Sequence, residues 1–151
     1  PTDKAILVPL DGSEAGEAAL PYAEALARAM NKEIILLQVL EAVVFAGDLS
    51  GEVAAYSEHL VQAQWKAAED YLSNLAKRLR RKKVASRYQI LLGAPANEIA
   101  RTASEQGVDL IAISTHGRSG IARWALGSVT ERIVATVDIP VLIVRAQTTP
   151  A

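Results

Sequence analysis

The sequence predicts an α/β fold built on a single doubly wound parallel sheet. Short runs rich in Ile, Leu and Val alternate with segments of helical periodicity along the chain. The first two runs are apolar at nearly every position, which is typical of parallel strands covered by helices on both faces. Because crossovers between parallel strands are right-handed, five such strands form one five-stranded sheet with helices on each side. The 151 residues fit one domain, which we expect to span residues 1–151.

The first strand and helix occupy the opening of the chain. Residues 5–10 form the first apolar run, and Asp11-Gly12 makes a turn after it. Ser13 can then cap a helix. The residues predicted to share the inward face of this helix are Ala15, Ala19, Tyr22, Leu26 and Met30.

A second strand and a long helix follow. The strand is predicted at Ile34–Leu40. Residues 41–56 contain Gly47 and Gly51 and show no sustained period, so we expect a mobile loop with at most a short helical turn. The next helix carries one continuous apolar stripe, and we expect its Trp65 in the core. The stripe comprises Val61, Trp65, Ala68, Leu72, Leu75 and Leu79.

The second half of the chain continues the β-α alternation, which is Rossmann-like. Residues 86–92 alternate in polarity more than the earlier runs, which indicates a strand at a sheet edge. Gly93-Ala94-Pro95 starts a short helix, and Gly107 ends it in the left-handed position. The remaining predicted elements are a fourth strand at 110–114, a helix over about 128–137 and a fifth strand at 141–144.

Composition and charge exclude several classes of protein. The 16 Lys and Arg nearly balance 17 Asp and Glu, so the chain has no general attraction to nucleic acid or anionic membranes. No apolar run approaches the ~20 residues of a membrane span, and no charged-then-apolar leader is present. The lack of cysteine excludes disulfides and thiolate chemistry, and it fits the cytoplasm, the expected location. His59 and His116 lack ligand spacing, which argues against structural zinc.

The feature most informative about function follows the fourth strand. There Ser114-Thr115-His116-Gly117 is separated by nine residues from Gly127-Ser128-Val129-Thr130-Glu131. A strand, a glycine-bearing loop and a helix start form a phosphate pocket, because unpaired amides and the positive end of the helix dipole point outward there. Glycine also lets the main chain approach a ligand closely. The residues predicted to hold phosphates are Gly117, Gly127, Ser128, Val129 and Thr130, with the hydroxyls of Ser128 and Thr130 assisting.

A second group of candidate residues lies at the carboxyl ends of the strands. In an open parallel sheet, ligands bind beyond these ends, at the point where the strand order reverses. A reversal between the first and fourth strands brings together the residues that end them, with the end of the second strand beside them. The residues so placed are Pro9, Leu10, Asp11, Ile113, Ser114 and Val39.

Two residues of this second group fit an adenine nucleotide. Main-chain groups around Val39 can contact an adenine edge, while apolar side chains cover the faces of the ring. Asp11 can accept hydrogen bonds from ribose hydroxyls. It can also help to hold magnesium, because a bare carboxylate close to phosphates would repel them.

Taken together, these motifs resemble those of the universal stress proteins across nearly the whole chain. The shared landmarks include the opening Ile-Leu-Val-Pro-Leu-Asp-Gly-Ser that ends at Ser13, the strand ending in Val39 and the Gly-Ala-Pro turn at 93–95. They also include residues 115–120, residues 127–131 and the closing Ile-Pro-Val-Leu-Ile-Val that ends at Val144. The set is far more specific than any single glycine pattern.

The resemblance implies strand order 3-2-1-4-5, a homodimer and, in the nucleotide-binding branch, a phosphate motif. That motif is glycine, two residues, glycine, nine residues, glycine and Ser or Thr. It maps onto Ser114, Gly117, Gly127 and Ser128, so Ser114 replaces the first glycine. The hydroxymethyl group of Ser114 either crowds the nucleotide or donates a hydrogen bond to it. We expect an ATP-binding member of the family, with or without magnesium; the alternative is a member without nucleotide.

Simpler interpretations of the same residues stay open. Ser128 and Glu131 fit a capping box, which by itself explains a serine at a helix start. Asp11-Gly12 can be only a turn. His116 fits a role in stabilising its loop better than one as a catalytic base, because no nucleophile lies at a suitable spacing. Arg118 either reaches phosphate oxygens or lies in solvent.

Three functions from different classes fit the sequence. The first, which we favour, is a nucleotide-binding regulatory protein. The second is a slow ATPase or phosphoryl-transfer enzyme at the same site. Against it stand the lack of a P-loop lysine and the lack of an obvious base to orient water. The third is a nucleotide-free interaction module.

Two surface features bear on partners. The strand from Val141 to Val144 is apolar on both faces and is expected at a sheet edge, which predicts a two-fold homodimer through it. The basic cluster at residues 77–83 ends a helix, where the dipole favours positive charge, and it lacks interleaved aromatic residues. We therefore expect no nucleic-acid partner.

Overall fold

A computed structural model of the chain describes residues 4–41, 51–115 and 126–146, leaving aside the side chains of residues 52–54. Within these residues strands and helices alternate along the chain. The strands are β1 (Ile6–Leu10), β2 (Ile34–Leu40), β3 (Ser86–Leu92), β4 (Leu110–Thr115) and β5 (Val141–Arg145). The helices are α1 (Leu20–Met30), α2 (Gly51–Arg81), α3 (Pro95–Gln106) and α4 (Ser128–Thr136), with a 3₁₀ turn at Ala15–Glu17 before α1.

The five strands form one parallel sheet in the order β3-β2-β1-β4-β5. This confirms the predicted fold class and the strand order that the family resemblance implies. β1 pairs with β2 from Ile6 opposite Ile34 to Leu10 opposite Gln38. Because the strands are parallel, the carboxyl ends of β1, β2 and β4 lie at one edge of the sheet, and the strand order reverses there between β1 and β4.

The sheet is covered on both faces, as its apolar strands predict. Alternate residues of β1 enter two different cores, since successive side chains of a strand point to opposite faces. Ile6, Val8 and Leu10 pack with residues of α1 and α2, whereas Leu7 packs with residues of α3 and α4. Leu7 and Val8 are both completely buried, so neither face of this strand contacts solvent.

Helix α2 differs from its prediction at two points. It begins at Gly51, so the expected loop is wrong for residues 51–56, while residues 42–50 lie outside the described part of the chain. No proline or further glycine interrupts this segment, and its alanines favour a helix. Trp65 is 38% exposed rather than in the core. The buried face of α2 comprises Ala68, Leu72, Leu75, Ala76 and Leu79.

The segment between β1 and β2 is also built differently from its prediction. The Ser13 hydroxyl accepts a hydrogen bond from the Gly16 amide (3.0 Å) within the 3₁₀ turn, so Ser13 does not cap α1, which starts only at Leu20. The inward face of α1 comprises Leu20, Ala23 and Ala27, and consequently Tyr22 and Met30 are more than half exposed.

The second half of the chain follows its prediction closely. β3 and β5 are the two edge strands. Gly107 ends α3 at φ 61° and ψ 42°, the left-handed conformation that glycine adopts without strain. None of the helices in the described ranges combines the length and apolar character needed to cross a bilayer.

Candidate functional site

A cavity of ≈ 870 Å³ lies at the edge of the sheet where β1, β2 and β4 end. Its volume is in the range of ligand pockets in proteins. Of the candidate residues from the sequence, Gly117 and Arg118 lie outside the described part of the chain, as does His116. The other ten candidates all line this cavity: Pro9, Leu10, Asp11, Val39, Ile113, Ser114, Gly127, Ser128, Val129 and Thr130.

The start of α4 forms one end of the cavity. Gly127 is the residue before the helix, with φ 86° and ψ 148°, and no side chain of the described residues caps the helix start. Ser128 is therefore the first helical residue rather than the cap, which removes the capping-box interpretation. The first hydrogen bond of the helix runs from the Glu131 amide to the Gly127 carbonyl (3.0 Å). The amides of residues 128–130 consequently have no acceptor within the helix and are free to bind an anion.

Asp11 is fixed at the end of β1 by its own turn. One carboxylate oxygen, Oδ1, accepts hydrogen bonds from the Ser13 amide (2.9 Å) and the Ser13 hydroxyl (2.5 Å). A Cβ at Gly16 would collide with this oxygen, so a larger residue there would displace the Asp11 carboxylate. Among the described residues, nothing donates a hydrogen bond to the other oxygen, Oδ2. The turn thus holds the carboxylate in place while leaving one oxygen available to a ligand or metal.

Ser114, which replaces the first glycine of the phosphate motif, is bound to the protein itself. Its hydroxyl donates a hydrogen bond to the Gly16 carbonyl, 98 positions away in sequence, at 2.5 Å. The side chain is only 9% exposed, although the residue contributes to the cavity wall. The hydroxyl proton is therefore used to join β4 to the 3₁₀ turn that follows Asp11.

This bond predicts that Ser114→Ala affects stability more than ligand binding. Losing the hydroxyl leaves a buried carbonyl unpaired, so we expect the free energy of unfolding to fall by about 1–2 kcal/mol. Because the hydroxyl serves the main chain, the Kd for ATP should change by less than about threefold. Ser128→Ala is the comparison. Ser128 is exposed, so losing its hydroxyl should raise the Kd for ATP without changing the free energy of unfolding. Denaturant unfolding and calorimetric titration measure the two effects. A large loss of affinity in Ser114→Ala would show that its hydroxyl contacts the ligand.

Four polar residues of the wall were not among the candidates from the sequence: Gln38, Glu41, Gln64 and Tyr71. The Tyr71 hydroxyl donates a hydrogen bond to Glu17 Oε2 (2.8 Å). Burial raises the pKa of Tyr71 well above its usual value, and this hydrogen bond to Glu17 raises it further. Tyr71 is therefore neutral at any physiological pH. Gln38 did carry a sequence signal, since it is the one polar residue in the apolar run of β2.

Comparison with known proteins agrees with this fold. The model of the universal stress protein family matches residues 3–145. The universal stress protein YxiE of Bacillus subtilis is 34% identical over 93% of this chain and 97% of its own. The solved structure of MJ0577, a universal stress protein of Methanocaldococcus jannaschii, is 30% identical, with a TM-score of 0.84 over 99% of this chain and 100% of that one.

A more distant neighbour was solved with a ligand. A universal stress protein family protein from Arabidopsis thaliana, with AMP bound, has a TM-score of 0.69 over 98% of this chain and 96% of that one. At 18% identity it shows a common fold. With a family model matched along nearly its full length, the chain belongs to the universal stress protein family.

Proposed function

We propose that this chain is a regulatory protein that binds ATP in the cavity at the carboxyl edge of its sheet. The observation that carries the proposal is the uncapped start of α4 beside Gly127, whose amides open into the same cavity as Asp11 and Val39. An anion site and a set of apolar strand ends in one pocket suit a molecule with a polyphosphate tail and a flat, weakly polar base. The neighbour solved with AMP supports an adenine nucleotide.

The proposed arrangement gives each part of ATP its own wall. The phosphates lie against the amides of Ser128, Val129 and Thr130. Gly117 and Arg118, which lie outside the described residues, are proposed as further phosphate contacts on the sequence motif alone. The base lies at the end of β2, against the main chain of Val39. The ribose lies between them, beside Asp11.

Magnesium fits this arrangement as a partner of the phosphates rather than as a resident ion. Within the described residues, no group of three or more His, Asp or Glu side chains is arranged to hold a metal. Magnesium commonly uses one or two carboxylates together with substrate phosphates. Asp11, whose Oδ2 is available, supplies such a carboxylate and is relieved of its repulsion from the phosphates when the ion is bound.

Binding rather than turnover is the function that these groups support best. The described part of the cavity wall offers backbone amides, hydroxyls, amide side chains and the carboxylates of Asp11 and Glu41, and it includes no lysine, arginine or histidine. Phosphoryl transfer relies on cationic groups and a positioned base. A protein that holds ATP without consuming it can report nucleotide level to a partner, which is a regulatory role and one suited to the cytoplasm.

The protein is proposed to act as a two-fold homodimer through β5. Among the described residues this strand pairs with β4 on one side only, and its other edge offers main-chain groups that none of them pairs. Its side chains reach both cores: Leu142 and Val144 pack against one, Val141 and Ile143 against the other. All four are only partly buried in the single chain. Pairing with a second copy of β5 covers them.

Asp11→Asn tests the nucleotide site directly. The amide keeps an oxygen for Ser13 but removes the charge, so we expect the Kd for ATP with magnesium to rise about tenfold, the loss of one charged contact. We also expect magnesium no longer to strengthen ATP binding. Titration of nucleotide-stripped protein with ATP, with and without magnesium, measures both.

Asp138→Asn is the control, because Asp138 is exposed and does not line the cavity. It should leave both affinities unchanged. Stripped wild-type protein that binds neither ATP nor AMP, and that releases no adenine nucleotide when freshly purified protein is denatured, would contradict the proposed function.

A further inference from the structure

Gln38 is a polar residue in an apolar layer. In the sheet register it lies between Leu10 on β1 and Ile90 on β3, and both neighbours belong to the core beneath α2. Leu36 and Leu40, which flank Gln38 on the same face of β2, belong to that core as well. Gln38 itself is only 8% exposed, and it lines the cavity. A leucine here would match every neighbour.

Gln64 enters the same layer from the opposite side. It lies four residues before Ala68 and eight before Leu72, both buried on the inward face of α2. Residues four apart lie on the same face of a helix, so Gln64 also points toward the sheet. It lines the same cavity as Gln38. Two carboxamides, one from the sheet and one from α2, therefore approach the ligand pocket within one layer.

Both carboxamides have an unpaired oxygen. The Oε1 atoms of Gln38 and Gln64 are closed off from solvent, and neither accepts a hydrogen bond from any residue that the structure describes. A buried carbonyl without a donor destabilises a protein, and native structures contain few of them. The terminal torsion of glutamine is soft, so the carboxamide can rotate toward the cavity without moving the backbone. A ligand that supplies hydrogen-bond donors would satisfy both oxygens.

We propose that Gln38 and Gln64 recognise the amino edge of the base and select adenine over guanine, an inference that rests on the proposed nucleotide site. A carboxamide presents an acceptor and a donor side by side, which matches the amine and N7 of adenine. Guanine and hypoxanthine carry a carbonyl where adenine has the amine, so an acceptor would face an acceptor. Gln38 directly precedes Val39, whose main chain contacts the base in the proposed arrangement. Gln64 supplies a second acceptor from α2.

The test compares ATP, GTP and ITP on nucleotide-stripped protein by calorimetric titration. We expect the wild-type chain to prefer ATP over GTP and ITP by about tenfold or more, the discrimination of one carboxamide pair. Gln38→Leu should raise the Kd for ATP about tenfold and leave the Kd for GTP unchanged, so that the preference for ATP is lost. Its thermal stability should stay the same or rise, because the unpaired oxygen is gone. Gln64→Leu makes the same test from α2, independently of the sheet.

Gln89→Leu is the matched control, a strand glutamine that does not line the cavity and whose Oε1 accepts a hydrogen bond from Gln106 (2.7 Å). It should leave the ratio of ATP to GTP affinity unchanged. Folded Gln38→Leu and Gln64→Leu proteins that keep the wild-type ratio would overturn the inference. Equal binding of ATP and GTP by the wild-type chain would also overturn the inference, but it would agree with the proposed nucleotide site. Failure to bind any nucleotide would instead contradict the proposed function itself.

Discussion

Replacing Gly127 with valine is expected to raise the Kd for ATP by about a hundredfold while leaving the chain folded. The amides that follow Gly127 are proposed to hold the phosphates. Losing two hydrogen bonds to a charged group costs about 3 kcal/mol or more, which corresponds to about a hundredfold in Kd. A single substitution at Gly127 thus disturbs several of the proposed phosphate contacts at once.

The reason lies in the backbone rather than in a collision. Gly127 has φ 86°, a conformation that side chains with a branched Cβ strongly disfavour, yet a Cβ added there would meet no atom of the described residues within 4 Å. Valine therefore fits the space but not the dihedral angle. The chain relieves this strain by turning the peptide at the start of α4, which moves the Ser128 and Val129 amides away from the ligand.

Gly107→Val provides a closely matched control. Gly107 also has a positive φ (61°) and open space around it, and it lies outside the cavity wall. Both variants should lose about 1–3 kcal/mol of stability through backbone strain. Only Gly127→Val should lose ATP affinity. Calorimetric titration with circular dichroism of each variant separates the two effects, and unchanged affinity in a folded Gly127→Val protein would contradict the proposed phosphate site.

The sheet could be predicted from the sequence because the residue pattern of each strand indicates by itself which of its faces are buried. β1 and β2 are apolar at almost every position, and this requires helices on both faces. Gly107 marks the end of α3 by its own conformational freedom. The buried faces of the helices were harder to predict, because the face that is buried depends on the element that packs against the helix. In α2, Trp65 lies one residue, or about 100°, from Gln64, and the sequence favoured the tryptophan as the inward residue.

The candidate site was predictable to the extent that it follows from topology. Parallel strands end at one edge, so Asp11, Val39 and Ser114 had to lie near one another once the strand order was known. The contacts within the site were not predictable. Whether Ser114 meets the ligand or the protein depends on Gly16, which reaches it only through the fold. The role of Gln38 likewise depends on two apolar neighbours from other strands.

Ile143→Glu is expected to convert the proposed dimer into a monomer. The two-fold axis puts both substituted strands in one interface, so each dimer would bury two carboxylates close together. Like charges of this kind, taken out of water without partners, are expected to raise the dimer dissociation constant by about a hundredfold or more. Sedimentation velocity at micromolar concentration would then show a single monomeric species for the variant and a dimer for the wild-type chain.

Leu91→Glu separates loss of the interface from loss of packing. Leu91 lies on β3, the opposite edge strand, and like Ile143 it is a partly buried side chain packed against the core beneath α3 and α4. Each glutamate should therefore reduce stability by a similar amount, about 1–3 kcal/mol. If β5 forms the interface, only Ile143→Glu dissociates the dimer. Dissociation by Leu91→Glu alone would show that the dimer interface lies at β3 instead. A monomeric wild-type chain would contradict the proposed dimer altogether.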